Sequence, residues 1–175
     1  MALDVKKLIQ KNSHVWISDQ GIALVNERIK QEEQSARIYL GMSVWLDVQG
    51  YAGASKLWKK YSDEELEHAE AFYDYLKGLN VVPEVPVLTK PINAFTSLQE
   101  VVEKSLEHEL YVTKEINRMA SEAFKMADMM LYEMFLKYVK EQHEELDKLL
   151  YWKDRLEINA GDTCGLLMID KEMGA

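Results

Sequence analysis

Residues 64–70 read Glu64-Glu65-Leu66-Glu67-His68-Ala69-Glu70, in a segment whose other residues look built to be buried. Following that segment at alternating spacings of three and four, the packing seam of a helical bundle, gives the stripe Ala54, Trp58, Tyr61, Glu65, His68, Phe72, Tyr75, Leu79. A glutamate and a histidine therefore occupy two successive positions where leucine would pack better. Glu67 and Glu70 fall off the stripe and read as surface acids. Glu65 and His68 stand at i and i+3, so both address the same space, separated along the axis by about 4.5 Å.

The same spacing can be followed in three more segments. One gives Ile22, Val25, Ile29, Glu32, Ala36, Tyr39, Ser43, Leu46; another Leu98, Val102, Ser105, Glu109, Val112, Ile116, Met119, Ala123. The last gives Leu131, Phe135, Tyr138, Gln142, Glu145, Leu149, Trp152, Leu156. Each stripe carries one glutamate near its middle. An isolated carboxylate in an apolar interior costs several kcal/mol, and four together would also repel one another unless protonated or neutralised by cations. Two divalent metal ions resolve both problems, because four carboxylates supply four negative charges. A carboxylate-rich set with one imidazole suits iron or manganese better than zinc, which favours nitrogen and sulfur.

Punctuation of the chain sets the topology. Pro83, Pro86 and Pro91 are its only prolines, and their clustering predicts an extended connection from about Gly78 to Ala94, since proline is excluded from helix interiors. Gly50 and Gly53 around Tyr51–Ala52, and the stretch Lys125–Asp128, predict short turns; residues 159–165 (NAGDTCG) predict a third break. Long helices are expected over 19–49, 54–78, 96–124 and 128–157, with a short one over 165–172. Thirty helical residues span about 45 Å, a length that fits an elongated antiparallel bundle. The expected organisation is an N-terminal extension at 1–18, a four-helix bundle at 19–157 and a short C-terminal helix at 158–175. A bundle with one long crossover has ferritin-like connectivity.

Composition narrows the function further. The 175 residues are 47% hydrophobic and 29% charged, values of a folded domain rather than a disordered chain. A net charge of −9 argues against nucleic-acid binding, which needs a basic face, and is compatible with attraction of cations. Cys164 is the only cysteine, so no intrachain disulfide can form. No apolar run reaches the roughly 18 residues of a membrane span, and the N-terminus lacks the apolar core of a signal peptide. A cytoplasmic protein without membrane contact is expected.

The stretches EELEHAEAFYDYL, EHELYVTKEIN, YVKEQHEELDKL and GLLMIDKEMGA resemble the non-haem ferritins, most closely the bacterial type, from about Leu24 to Met173. The resemblance implies an all-α ferritin-like fold and a ferroxidase acting on Fe(II) with dioxygen or hydrogen peroxide. It also implies a homo-oligomeric shell, in the family built of 24 subunits. By position, Glu32, Glu65 and His68 would hold one iron, and Glu65 would bridge to a second held also by Glu109 and Glu145. Gln142 would lie just outside the ligands, and Tyr39 matches a tyrosine implicated in electron transfer. A third iron site maps to Glu64, Glu141 and Glu144 with help from Glu145, though these acids also fit solvated helix faces. Bacterioferritins carry a second histidine and a haem-binding methionine where this chain has Glu144 and Leu66, so haem is not expected. His108 and His143 adjoin these positions in sequence but point about 100° away on a helix.

Two other readings differ in class. A di-iron peroxidase or oxidase without mineral would form a small oligomer, and the chain lacks the second Glu-x-x-His and any Cys-x-x-Cys electron-transfer module. A DNA-protecting mini-ferritin would take its ligands from two subunits and need a surface less acidic than this one.

Overall fold

The structure, a computed structural model, describes residues 17–175. Most of the N-terminal extension expected at 1–18 therefore lies outside the described residues. Its last two residues serve the bundle: Ile17 is buried in the core, and Ser18 Oγ accepts from Gly21 N–H at 3.0 Å. Five helices follow, α1 (Asp19–Val48), α2 (Ala52–Gly78), α3 (Leu98–Lys125), α4 (Met129–Ile158) and α5 (Thr163–Met173). The α1–α2 and α3–α4 pairs pack as hairpins joined by short turns. Gly50 and Ala127 take positive φ values of 87° and 57° in those turns. This is the all-α bundle with a short C-terminal helix that the stripes predict.

Helix starts are set by local chemistry. Ser97 Oγ accepts from Glu100 N–H at 3.0 Å, while the Glu100 carboxylate reaches back to Thr96 N–H at 2.6 Å, so orphan amides at the start of α3 are satisfied from both sides. Asp128 and Asp162 cap α4 and α5. Helix α2 is the exception. Tyr51 offers it no side-chain cap, and Asp170 Oδ1 of α5 instead accepts from Ala54 N–H at 2.8 Å.

That contact explains a glycine the sequence places in a turn. Gly53 lies inside α2, buried, and a Cβ there would meet the Asp170 carbonyl oxygen at 1.7 Å. Its small size lets α5 lie directly on the start of α2.

Residues 79–97 form no helix or strand and run along α1. Glu84 N–H donates to Asn26 Oδ1 at 3.0 Å, and Thr89 exchanges hydrogen bonds with the Gln34 amide. These side-chain acceptors take up the amides of a segment that proline keeps extended. Among the described residues, no helix is long and apolar enough to cross a membrane.

The apolar core falls into two parts. Phe72, Phe135, Ile116 and Leu131 centre one; Trp58, Leu46, Leu98 and Ile169 centre the other. Between them the helices contribute carboxylates rather than hydrocarbon, and there the candidate site sits.

Candidate metal centre

Helix α1 carries Glu32 and α2 carries Glu65 and His68, each on an inward stripe held between the two apolar halves. Ligand atoms of these three residues lie within 4.8 Å of one another. Among the described residues they are the one group of carboxylates, imidazoles and thiols that converges so closely. Glu32 is fully buried and Glu65 nearly so. Glu65 Oε2 stands 3.6 Å from His68 Nδ1, and His68 Nε2 faces Glu141 Oε1 at 3.3 Å.

Electrostatics mark the cluster as incomplete on its own. Burial, opposed by Arg28 and reinforced by Glu65, pushes the Glu32 carboxyl up to about 8. Burial likewise raises Glu65 to about 8, with the neighbouring Glu109 and Glu145 adding to it. Without a cation, the two carboxyls hold protons at neutral pH because ionising both in so little water is unfavourable. Glu32 Oε2 is buried with no amide, hydroxyl or cationic donor, and the Glu32 and Glu65 carboxyls share a hydrogen bond; a bound cation would take the place of that proton. A hard, carboxylate-rich donor set with one imidazole fits iron.

The second half is built from α3 and α4. Glu109 is buried and accepts from Tyr39 O–H and Gln142 Nε2–H; burial raises its carboxyl, and those two donors lower it. Burial also drives the Tyr39 phenol well above its ordinary range, with the Glu109 charge adding to the effect. Glu145 is more open and pairs with Lys148 Nζ at 2.8 Å. Glu109 and Glu145 are thus each engaged with a partner within the chain. Both line, with Tyr39, Glu65 and His68, one cavity of about 220 Å³.

Glu64, Glu141 and Glu144 line the same cavity. Glu144 is exposed and the other two half-buried, with Glu64 paired to Lys60 at 3.5 Å. Glu67, a surface acid by its stripe position, lines the cavity as well. His143 is exposed. His108 turns to Ser35 Oγ at 2.8 Å and packs edge-on to Tyr39, and burial lowers it to about 4.

The stripes pass over one residue at the site and give no role to another that lies on them, Tyr61. Arg28 is 2% exposed and donates from Nε to Glu32 Oε1 at 2.7 Å; its i−4 spacing from Glu32 was the available signal. Tyr61 closes the cavity and packs edge-on to Tyr39, with ring centroids 5.9 Å apart.

A four-helix bundle with one long crossover, carboxylates of α2, α3 and α4 around one cavity and Glu32 of α1 converging on Glu65 and His68 beside it, has the architecture of the ferritin-like carboxylate proteins. The Ferritin family model, a ferritin-like domain, matches residues 22–158, and the chain belongs to that family. It is 32% identical over 158 residues to the Haemophilus influenzae protein named "Probable bacterial non-heme ferritin-like protein", covering 90% of this chain and 96% of that one. It is 30% identical to the bacterial non-heme ferritin of Escherichia coli O6:H1 over 87% of this chain and 92% of that one. An open-pore ferritin from the hyperthermophilic archaeon Archaeoglobus fulgidus superposes with a TM-score of 0.88 at 30% identity, over 90% of this chain and 96% of that one. Membership supports iron storage and ferroxidase chemistry in general terms.

Proposed function

We propose that the chain oxidises Fe(II) at an intra-subunit centre and stores the product as hydrated ferric oxide inside a cytoplasmic shell of identical subunits, 24 in number. The observation that carries the reading is the convergence of Glu32, Glu65 and His68, whose ligand atoms lie within 4.8 Å of one another, with two of the three buried. Glu32, Glu65 and His68 hold one iron; Glu65, Glu109 and Glu145 hold the other. Each Fe(II) gives up one electron, and the pair reduces dioxygen, with two protons, to hydrogen peroxide. Hydrogen peroxide can serve as oxidant in turn. The carboxylates favour the product because oxygen donors prefer the harder Fe(III). Protons held on Glu32 and Glu65 leave when metal arrives. Gln142 and Tyr39 orient the Glu109 carboxylate, and Tyr39 stands where it could pass an electron. Glu64, Glu141 and Glu144 form a third iron site between the centre and solvent.

The test adds Fe(II) in air, follows ferric absorbance and then sizes the product. A large iron-laden particle is expected, with Glu65→Ala and His68→Ala losing the fast phase while assembling normally. Unchanged rates in both variants would remove the centre from the mechanism. Rapid oxidation on a small, mineral-free oligomer would favour a di-iron peroxidase or oxidase instead.

A further inference from the structure

One buried charge has no part in that scheme. Arg28 lies one helical turn before Glu32 on α1 and is 2% exposed. Its Nε donates to Glu32 Oε1 at 2.7 Å, and its Nη1 donates to Gln31 Oε1 at 3.0 Å. Both acceptors belong to α1 itself, so these hydrogen bonds tie no helix to another. The guanidinium also acts on Glu65 and on Tyr138, opposing in part the rise that burial gives each. It therefore stands within electrostatic reach of α2 and α4 as well as of its own helix.

Glu145, on the opposite side of the centre, is also held by a cation, but of a different kind. The Lys148 side chain is 44% exposed and can swing into water when Glu145 takes another partner. Arg28 has no such exit. Arginine keeps its charge at any pH at which the chain is folded. A dication bound by Glu32 would sit a few ångströms from a positive charge that solvent screens poorly. It would also share a carboxylate that Arg28 already uses.

Resting on the metal-centre reading above, we infer that Arg28 is a resident competitor cation. It holds one oxygen of Glu32 in the metal-free chain and weakens the grip of the Glu32–Glu65–His68 site on a bound dication. Arg28 is a positioning residue, acting on the metal through Glu32. A site meant to retain its metal as a cofactor would gain from a neutral residue at position 28. A site that must release metal as product gains from a charge that never leaves.

The test titrates the full assembled protein with Co(II) alone at pH 8.5, where protons compete least at Glu32 and Glu65, read by calorimetry and by the ligand-field absorbance of bound cobalt, with Glu65→Ala as the site control. Arg28→Gln should bind Co(II) about tenfold more tightly than the parent, equivalent to about 1.4 kcal/mol, and Arg28→Lys, which keeps the charge, should stay near the parent value. A purely structural role predicts the opposite sign, since a loosened Glu32 would bind more weakly. Equal or weaker binding by Arg28→Gln, with the parent still showing Glu65-dependent binding, overturns the inference and leaves the centre standing. Absence of Glu65-dependent binding in the parent removes the centre and the inference with it. Arg28→Met, which keeps the aliphatic stem in the core, carries the same expectation as Arg28→Gln. If neither uncharged variant assembles while Arg28→Lys does, the charge serves folding and the inference fails.

Discussion

Metal binding to this chain should be strongly proton-linked, and the structure sets the pH window. Glu32 and Glu65 are both raised to about 8, chiefly by burial. The perturbation is a titration of the metal-free protein with Co(II) at a series of pH values from 6.5 to 8.5. At pH 6.5 the two interacting carboxyls carry between one and two protons per site, and a dication must displace them. Apparent affinity should therefore rise by about one to two powers of ten per pH unit up to about 8, then flatten. Calorimetry in buffers of different ionisation enthalpy counts the released protons directly. The same groups affect stability with a definite sign. Their folded values lie above the ordinary 4.5, so the native state binds more protons between 4.5 and 8, and metal-free stability falls as pH rises through that range. His108, lowered to about 4, acts oppositely, but only below its ordinary value of 6.5. Above pH 6.5 the decline belongs to the buried carboxyls. No proton release at pH 6.5, with affinity flat from 6.5 to 8, would refute the reasoning.

Further predictions concern the scaffold. Gly53→Ala would place a Cβ 1.7 Å from the Asp170 carbonyl oxygen, so α5 must move off α2. The expected result is faster hydrogen exchange in α5 and about 2–4 kcal/mol lost to denaturant, and a variant as stable as the parent would contradict the packing. Phe72→Ala removes a fully buried ring packed at a tilt against Phe135 and Tyr138 and should cost about 3–5 kcal/mol, read from the urea midpoint. Asp170→Ala strips the cap from Ala54 N–H and should cost about 1 kcal/mol, a loss absent if water replaces the carboxylate.

Much of the arrangement was legible in the residues because bundle helices repeat faithfully. Alternating spacings of three and four identify Glu32, Glu65 and Glu109 as interior, and prolines mark the crossover. What escaped was non-local or depended on side-chain reach. The cap on α2 comes from Asp170, 116 residues away from Ala54 in sequence, and no local pattern announces it. Gly53 reads as a turn residue because glycine usually breaks helices, yet its reason is the close approach of α5. Arg28 shares the inward face with Glu32, but a stripe that keeps one residue per turn passes over it. Glu67 reaches the cavity because a long side chain on the flank of a stripe can bend towards an opening.

The proposed activity turns on whether these side chains hold a metal pair inside the bundle. Anomalous diffraction at the iron edge, from crystals soaked anaerobically in Fe(II), measures that directly. The prediction is two neighbouring peaks in the cavity, one contacted by Glu32, Glu65 and His68 and the other by Glu65, Glu109 and Glu145. Iron found only at the outer acids Glu64, Glu141 and Glu144, with nothing beside Glu32, would contradict it.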